Sequence, residues 1–212
     1  MATADFLLGS TYNFHSNEGP SLNLQAQYVS LRDEVRQVID RVFESQHFVL
    51  GAHGRALETA IADYSQTKHA IGCASGSDAL LLALMALDIG RGDEVITTPF
   101  TFFATGAAIA RLGAKPVFVD SDPHSYNIDA TKIQSAITSH TKAILPVHLY
   151  GQCADMDPLL EISRSSGIPI IEDAAQAIGA EDRGRRAGSM GLVGTLVFIQ
   201  RRISVALATV EC

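Results

Sequence analysis

The sequence predicts a three-layer α/β/α fold built on a mostly parallel β-sheet. Short runs of β-branched and other apolar residues alternate with stretches of helical periodicity along most of the chain. The apolar runs end in Gly, Pro or Asp, as buried strands do. Strands separated by helices in this way favour parallel pairing with helices on both faces of the sheet. A chain of 212 residues is long enough to bury one sizeable core.

Each element has its own signal. The first helix is predicted because its apolar residues recur at helical spacing: Tyr28, Leu31, Val35, Val38, Ile39 and Val42. The predicted helices are residues 24–45, 53–64, 77–89, 102–113 and 154–167. The predicted strands are residues 69–74, 93–99, 115–120, 141–149 and 168–173. The helix at 77–89 is apolar nearly all round, which is typical of a buried helix.

Composition excludes several classes of protein. Acidic residues number 23 against 16 basic ones, and no basic stripe is visible, so nucleic acid is not expected as a partner. The three cysteines form no CxxC pair, which argues against a disulfide scaffold or a Cys-based zinc site. No run approaches the roughly 18 apolar residues of a membrane helix, and the N-terminus lacks a basic leader. We therefore expect a cytoplasmic protein without a membrane partner, with residues 1–20 as a tail.

The first candidate site follows the strand at 69–74. Gly76 lets the backbone approach a ligand closely, and Ser77 or Asp78 can cap the next helix. A helix N-terminus with a hydroxyl suits a phosphate, although an ordinary N-cap explains the same residues. Neither G-x-G-x-x-G nor G-x-x-x-x-G-K-[ST] is present, which disfavours a dinucleotide or nucleoside triphosphate site.

Aromatic and acidic residues follow the next two strands. An aromatic within residues 100–103 could stack on a flat ring, or could belong to the core. Asp120 and Asp122 could ligate a metal, but a turn at the strand end is the better interpretation. After the strand at 141–149, His148 could be a base or a buried structural residue, and Tyr150 lies two positions further on.

The segment at 168–180 is the most informative. An apolar strand ends in Glu172 and Asp173, followed by small residues and Gln176. A buried acid requires a cationic or N–H partner, because its desolvation is costly. That partner could be a metal, a ribose or the protonated ring nitrogen of a cofactor.

Four segments together resemble a known family. GSDALLLAL, DEVITTPFTFFATGAAIARLGAKPVFVD, LPVHLYGQCADMDPL and IPIIEDAAQAIGA occur in the order and spacing of the DegT/DnrJ/StrS sugar aminotransferases. The resemblance runs from about Leu22 to Thr195. It implies the large domain of a fold type I enzyme that depends on pyridoxal 5′-phosphate (PLP). It also implies transfer of an amino group, usually from glutamate, to a nucleotide-linked keto-sugar, by a homodimer in the full-length family member.

The resemblance also assigns cofactor contacts. Carried over by position, Gly76, Ser77 and Asp78 would bind the cofactor phosphate. Phe102 would stack on the pyridine ring.

Further positions carry over near the ring. Asp173 would pair with the ring nitrogen, and Gln176 would approach the ring hydroxyl. His148 and Tyr150 would lie in the vicinity of the substrate. Ile178 departs from the pattern, because many members have His there.

The Schiff-base lysine of the family is missing. Counting from Gly194, Arg202 occupies the lysine position and Val197 occupies a phosphate-binding Ser position. A guanidinium stays protonated at neutral pH and cannot form a Schiff base. The resemblance therefore implies a chain without a catalytic lysine that does not transaminate as written.

The tail at residues 197–212 has a testable explanation. DNA that encodes residues 200–212 can also be read from the third base of the first codon. With suitable synonymous codons, that frame gives Ala-Lys-Asn-Leu-Gly-Cys-Phe-Gly-Asp-Gly-Gly-Met, which resembles the family's lysine motif. We hypothesise a frame change near Leu196 to Ile199, which leaves a partial large domain at 21–196 and an aberrant tail. Unpaired strand edges would then make the chain poorly soluble.

Three other readings stay open. A lysine-free sugar dehydratase would use the pyridoxamine form of the cofactor, but such members place His where this chain has Arg202. A non-catalytic binding or regulatory protein could keep the fold. A nucleotide-binding α/β domain lacks the glycine fingerprint.

Overall fold

The computed structural model describes residues 23–198 and the backbone of residues 203–208. The chain divides into two units, residues 1–50 and 51–212. The first unit contains helix α1, Leu24–Ser45, which begins where Asn23 Oδ1 accepts the N–H of Ala26 at 3.0 Å. It has the bounds that the apolar spacing predicted; none of its residues is buried, and most of its apolar residues are exposed. The predicted tail at 1–20 lies outside the described residues.

The second unit alternates helices and strands. Its helices are α2 (Ala52–Tyr64), α3 (Gly76–Ala86), α4 (Phe103–Arg111), α5 (Ile133–Ala136) and α6 (Met156–Ser166), with a 3₁₀ turn at Ala130–Lys132. Its strands are β1 (His69–Cys73), β2 (Glu94–Thr97), β3 (Lys115–Phe118), β4 (Thr141–Leu145), β5 (Ile171–Asp173), β6 (Glu181–Asp182), β7 (Arg185–Arg186), β8 (Val193–Phe198) and β9 (Ile203–Ala208).

Seven strands follow one another in the order β3-β2-β4-β5-β8-β9-β1. Strands β3, β2 and β4 pair in parallel, and β5 pairs in parallel with β8. Parallel bridges join Ile144 to Ile170 and Val147 to Asp173, which links β4 to the β5 side. Strand β9 runs antiparallel to both β8 and β1. The prediction of a mostly parallel sheet is confirmed.

Apolar cores pack on both faces of this sheet. One contains buried residues of α3 and α4, including Leu84 and Ile109, against Val95 and Leu145. The other contains Ile133, Leu159 and neighbours from α5 and α6. Helices on both faces of a parallel sheet give the predicted three layers.

Some elements differ from expectation. Helix α3 buries only one face, since Leu82 is 46% exposed and Met85 51% exposed. The hairpin of β6 and β7 was not predicted. Strand β9 lies within the segment that the sequence marked as an aberrant tail, where it pairs along its whole length with two strands. Within the described part of the chain, no helix combines the length and apolarity needed to cross a membrane.

Candidate functional site

A cavity of about 440 Å³ lies at the carboxyl ends of the parallel strands. It is lined from the N-terminus of α3, the start of α4, and the ends of β5 and β8. The carboxyl edge of a parallel sheet is where ligands bind in folds of this kind. The cavity brings together five of the residues selected from the sequence: Gly76, Ser77, Phe102, Asp173 and Gln176.

The N-terminus of α3 is capped by Ser75. Its Oγ accepts the N–H of Asp78 at 3.1 Å and donates to Oδ2 of Asp78 at 2.9 Å. The expectation that Ser77 or Asp78 is the cap is therefore wrong, because Ser75 has the extended backbone that the N-cap position requires. Asp78 is engaged in this cap and does not line the cavity.

The first two residues of α3 keep their N–H groups available. Within the described part of the chain, no group accepts a hydrogen bond from the N–H of Gly76 or Ser77, as expected in a first helical turn. Both residues line the cavity. Their N–H groups and the helix dipole favour a negatively charged group at this end.

The carboxylate of Asp173 is buried against the same cavity. The residue is 4% exposed; its Oδ2 accepts the hydroxyl of Thr105 at 2.8 Å and its Oδ1 accepts the N–H of Ala175 at 3.3 Å. Burial raises the pKa of the Asp173 carboxyl, while both hydrogen bonds oppose the rise. No lysine or arginine among residues 23–198 pairs with it, so a cationic N–H donor in the cavity would be its natural partner.

The neighbouring acid serves a different purpose. The carboxylate oxygens of Glu172 accept four hydrogen bonds: from the ring of His148 and from the N–H groups of Gly188, Met190 and Gly191. Successive residues of a strand face opposite sides, so only one of the two acids can face the cavity. Glu172 fastens the loop at 188–191 instead.

The ring of His148 is fully buried and has partners on both nitrogens. Nδ1 accepts the N–H of Ala154 at 2.9 Å, which leaves the ring hydrogen on Nε2, 2.8 Å from Oε2 of Glu172. His148 does not line the cavity. This arrangement favours the structural interpretation of His148 over a role as a base.

Gln176 is oriented by the backbone of Tyr150. The N–H of Tyr150 donates to Oε1 of Gln176 at 3.3 Å. Since a backbone N–H can only donate, the amide oxygen must face it, and Nε2 remains as the donor for a ligand. Tyr150 and Gln176 also line an adjoining cavity of about 250 Å³, which shares Phe102 with the first.

Phe102 presents its ring at the rim of both cavities. It is the N-cap residue of α4, in extended conformation, and is 71% exposed. Phe100, by contrast, packs against the ring of Tyr126 with centroids 5.7 Å apart. Of these aromatics, Phe102 therefore has a ring available for stacking at the main cavity.

The other residues considered from the sequence lie in different surroundings. Asp122 accepts the N–H groups of His124 and Ser125, which hold its pKa below the ordinary value, as in a turn. Val197, at the position where the resemblance expects Ser, lines the cavity. Arg202 lies outside the described residues. Sequence reasoning missed Thr105, because the sequence distinguishes this residue only by its place in the first turn of α4.

Residues 29–206 match the DegT/DnrJ/EryC1/StrS aminotransferase family. The chain is 53% identical over 179 residues to a pleiotropic regulatory protein of Geobacillus stearothermophilus, covering 84% of this chain and 48% of that protein. It is 49% identical over 179 residues to a UDP-N-acetyl-3-dehydro-α-D-glucosamine 3-aminotransferase of Acidithiobacillus ferrooxidans, with the same coverage of 84% and 48%.

Solved structures agree in fold. Superposition on S. venezuelae DesV, solved in complex with a ketimine intermediate, gives a TM-score of 0.86 at 41% identity, covering 91% of this chain and 54% of that one. The chain thus spans about half the length of the relatives it matches. Aminotransferases of this family depend on PLP. By the extent of these matches, the chain belongs to the DegT/DnrJ/EryC1/StrS aminotransferase family.

Proposed function

We propose that this chain is the PLP-binding part of a nucleotide-sugar aminotransferase and that, as written, it binds the cofactor reversibly without transaminating. One observation carries the proposal. Gly76, Ser77, Phe102, Asp173 and Gln176 come from three separate segments of the chain and line a single cavity at the carboxyl edge of the sheet.

The residues that line this cavity suit the phosphate, the ring and the polar ring atoms of PLP. The N–H groups of Gly76 and Ser77 suit the phosphate, because a helix N-terminus attracts an anion. The exposed ring of Phe102 suits a flat heteroaromatic group. Asp173 suits a protonated ring nitrogen, and Nε2 of Gln176 suits a ring oxygen.

Each residue has a distinct task when the cofactor is bound. PLP supplies an electron-withdrawing ring that stabilises negative charge next to the reacting carbon. Asp173 holds the proton on the ring nitrogen, because a carboxylate beside it favours the charged form. Phe102 orients the ring and excludes water from one face. The Gln176 amide donates to the ring oxygen and keeps the ring in register with Asp173.

The substrates follow from the family and stay part of the proposal. A relative with 49% identity is named as a nucleotide-sugar aminotransferase, which supports a nucleotide-linked keto-sugar as acceptor. Glutamate as donor and a homodimer of the full-length protein are the expectations of the family resemblance. The cavity lined by Pro99, Tyr150 and Gln176 adjoins the proposed cofactor site and offers a place for substrate to approach.

A second candidate rests on the absence of lysine at position 202. A relative with 53% identity is named a pleiotropic regulatory protein, and a site without the Schiff-base amine can still bind PLP. In that case the chain would be a cofactor-binding regulatory protein. Arg202 disfavours the dehydratase alternative, whose members carry His there.

The test is a PLP titration followed by absorbance. We expect saturable binding that dialysis reverses, loss of affinity in Asp173→Asn, and unchanged affinity in the control Asp120→Asn, whose side chain is 76% exposed and does not line the cavity. After borohydride treatment, peptide mapping should find no cofactor at position 202. Failure to bind PLP would overturn the proposal; turnover of glutamate with a nucleotide keto-sugar would overturn its inactivity.

Mixing the chain with a full-length family member separates the two candidates. With that enzyme saturated with PLP, a regulatory role predicts that this chain changes the transamination rate of the enzyme and that the Asp173→Asn variant does not. If the chain is solely a fragment of an enzyme, neither the chain nor the variant should change that rate.

A further inference from the structure

We propose that Thr105 is a positioning residue for Asp173: its hydroxyl holds the carboxylate in the orientation that receives the cofactor's ring nitrogen. This inference rests on the proposed function and deepens it. It concerns a residue that the sequence did not select, in a helix that contributes Phe102 to the same cavity.

The geometry defines a directed series of hydrogen bonds. The hydroxyl of Thr105 donates to Oδ2 of Asp173 at 2.8 Å. The hydroxyls of Thr101 and Thr105 lie 2.9 Å apart. A threonine hydroxyl has one hydrogen, and that of Thr105 is given to the carboxylate, so Thr101 must be the donor to Thr105. The hydrogen bonds therefore run from Thr101 through Thr105 to Asp173.

The fold keeps these hydrogen-bonded side chains in place. Thr105 is fully buried, as are Ala108 and Ile109 on the same side of α4, so the helix cannot rotate without exposing its core face. The N–H of Thr105 donates to the carbonyl of Phe102 at 3.2 Å. The residue proposed to stack on the ring and the residue that holds Asp173 are thus joined within one helical turn.

Two donors restrict the carboxylate. Thr105 holds Oδ2, and the N–H of Ala175 holds Oδ1 at 3.3 Å, so rotation about the last side-chain bond would break both contacts. Asp173 lines the cavity from this fixed position. Preorganised acceptors of this kind stabilise a bound cation without reorganisation during binding.

The electrostatic setting makes the donor important. Burial raises the pKa of the Asp173 carboxyl, and the Thr105 hydroxyl is the largest influence that lowers it, followed by the N–H of Ala175. The adjacent Glu172 is occupied by four donors of its own. Loss of the Thr105 hydroxyl therefore leaves a buried carboxyl that ionises at higher pH.

The experiment compares Thr105→Val, Thr105→Ser and a control, Thr59→Val. Thr59 also donates its hydroxyl within a helix, to the carbonyl of Arg55 at 3.0 Å, but is exposed and distant in sequence from the cavity lining. Without the Thr105 hydroxyl, Oδ2 of Asp173 loses its donor, and the carboxylate is held by the N–H of Ala175 alone. We therefore expect T105V to weaken PLP binding about tenfold or more, and T105S and T59V to bind like the original chain.

The pH profile separates positioning from general damage to the fold. A protonated Asp173 cannot pair with a protonated ring nitrogen, so affinity should fall on the acid side, and T105V should move that fall to higher pH. T105V should have no further effect in the Asp173→Asn background, because the group that it positions is already gone. If T105V does not fold, Thr105→Ala has the same predictions.

A cofactor-free measurement keeps the two proposals distinguishable. Carbon-13 NMR of labelled aspartate carboxyls in the chain, fused to a solubilising domain, should show Asp173 titrating at higher pH in T105V than in the original chain. An unchanged titration would overturn the role of Thr105. If the original chain binds no PLP, the proposed function fails, while this titration still decides whether Thr105 controls Asp173.

Discussion

The imidazole Nε2 of His148 lies 2.8 Å from Oε2 of Glu172, and neither side chain has solvent-exposed surface. The carboxylate also accepts the N–H groups of Gly188, Met190 and Gly191. Glu172 therefore joins the turn after β4 to the loop before β8, directly beside the residue that faces the cavity. The pair supports the site without belonging to it.

Replacing Glu172 by Gln tests this role. The amide would turn an NH₂ group toward donors that now face an oxygen, and it would remove the buried negative charge that they stabilise. We expect the free energy of unfolding to fall by about 3 kcal/mol, measured by urea denaturation. Glu161→Gln is the matched control, since the Glu161 side chain is 75% exposed and pairs with an exposed Arg164; it should change stability by less than about 0.5 kcal/mol. Equal effects of the two variants would contradict the role of Glu172.

Asp173 should make the cofactor-free protein less stable as pH rises. Burial raises the pKa of this carboxyl in the folded state, so the folded state binds its proton more tightly than the unfolded state does. Stability is then lost between the ordinary aspartate pKa, about 3.9, and the higher folded value. Asp173→Asn should match the original chain at low pH and melt at a higher temperature than the original chain at neutral pH. A melting-temperature difference that does not change with pH would contradict this account.

Phe102 should contribute to cofactor affinity and little to stability. Its ring is 71% exposed at the rim of the cavity, and stacking of aromatic rings contributes about 0.5–1.5 kcal/mol. Phe102→Ala should therefore weaken PLP binding by about threefold to tenfold. The adjacent Phe103 is 83% exposed and does not line the cavity, so Phe103→Ala is the control and should bind normally. Comparable losses in both variants would indicate damage to α4 instead.

Gly194 should be intolerant of any side chain. A Cβ at this position would overlap the backbone of Gly188, in the loop that Glu172 fastens. Gly194→Ala should destabilise the protein by about 1–3 kcal/mol or more. Gly54 lies inside α2 with open space around its Cβ direction, so Gly54→Ala should stabilise the helix by about 0.5–1 kcal/mol. Thermal unfolding of both variants should therefore shift in opposite directions, and a stable Gly194→Ala protein would refute the close approach.

Local patterns predicted much of the fold. Apolar spacing gave α1 its observed bounds, and β-branched runs located β1 to β5, because burial imposes those periods on the sequence. Caps were harder to predict. Ser75, Ser77 and Asp78 can all accept a helix N–H, and only the extended backbone at Ser75 decides among them.

Contacts between distant residues could not be predicted in this way. Thr105 and Asp173 are 68 positions apart, and nothing near Thr105 signals a carboxylate partner. Glu172 and Asp173 are equivalent in sequence until the strand assigns them to opposite sides. Strand β9 was missed because its antiparallel pairing with β1 spans most of the chain. The proposed cofactor residues were selected by family resemblance, which contains that long-range information.

The DNA that encodes residues 190–212 should contain the lysine motif in a second reading frame. The family match runs through residue 206, although Arg202 stands at the lysine position and Val197 at a serine position. Strand β9 is compatible with a frame change, because its pairing with β8 and β1 uses backbone groups. Residues 203–208 are mostly apolar, and such a segment can form a strand whether or not its reading frame is the original one. We expect sequencing to find codons for Ala-Lys-Asn-Leu-Gly-Cys-Phe-Gly-Asp-Gly-Gly-Met out of register with the present frame. If no frame encodes that motif, the chain is a lysine-free relative, and a PLP titration then decides whether it binds the cofactor.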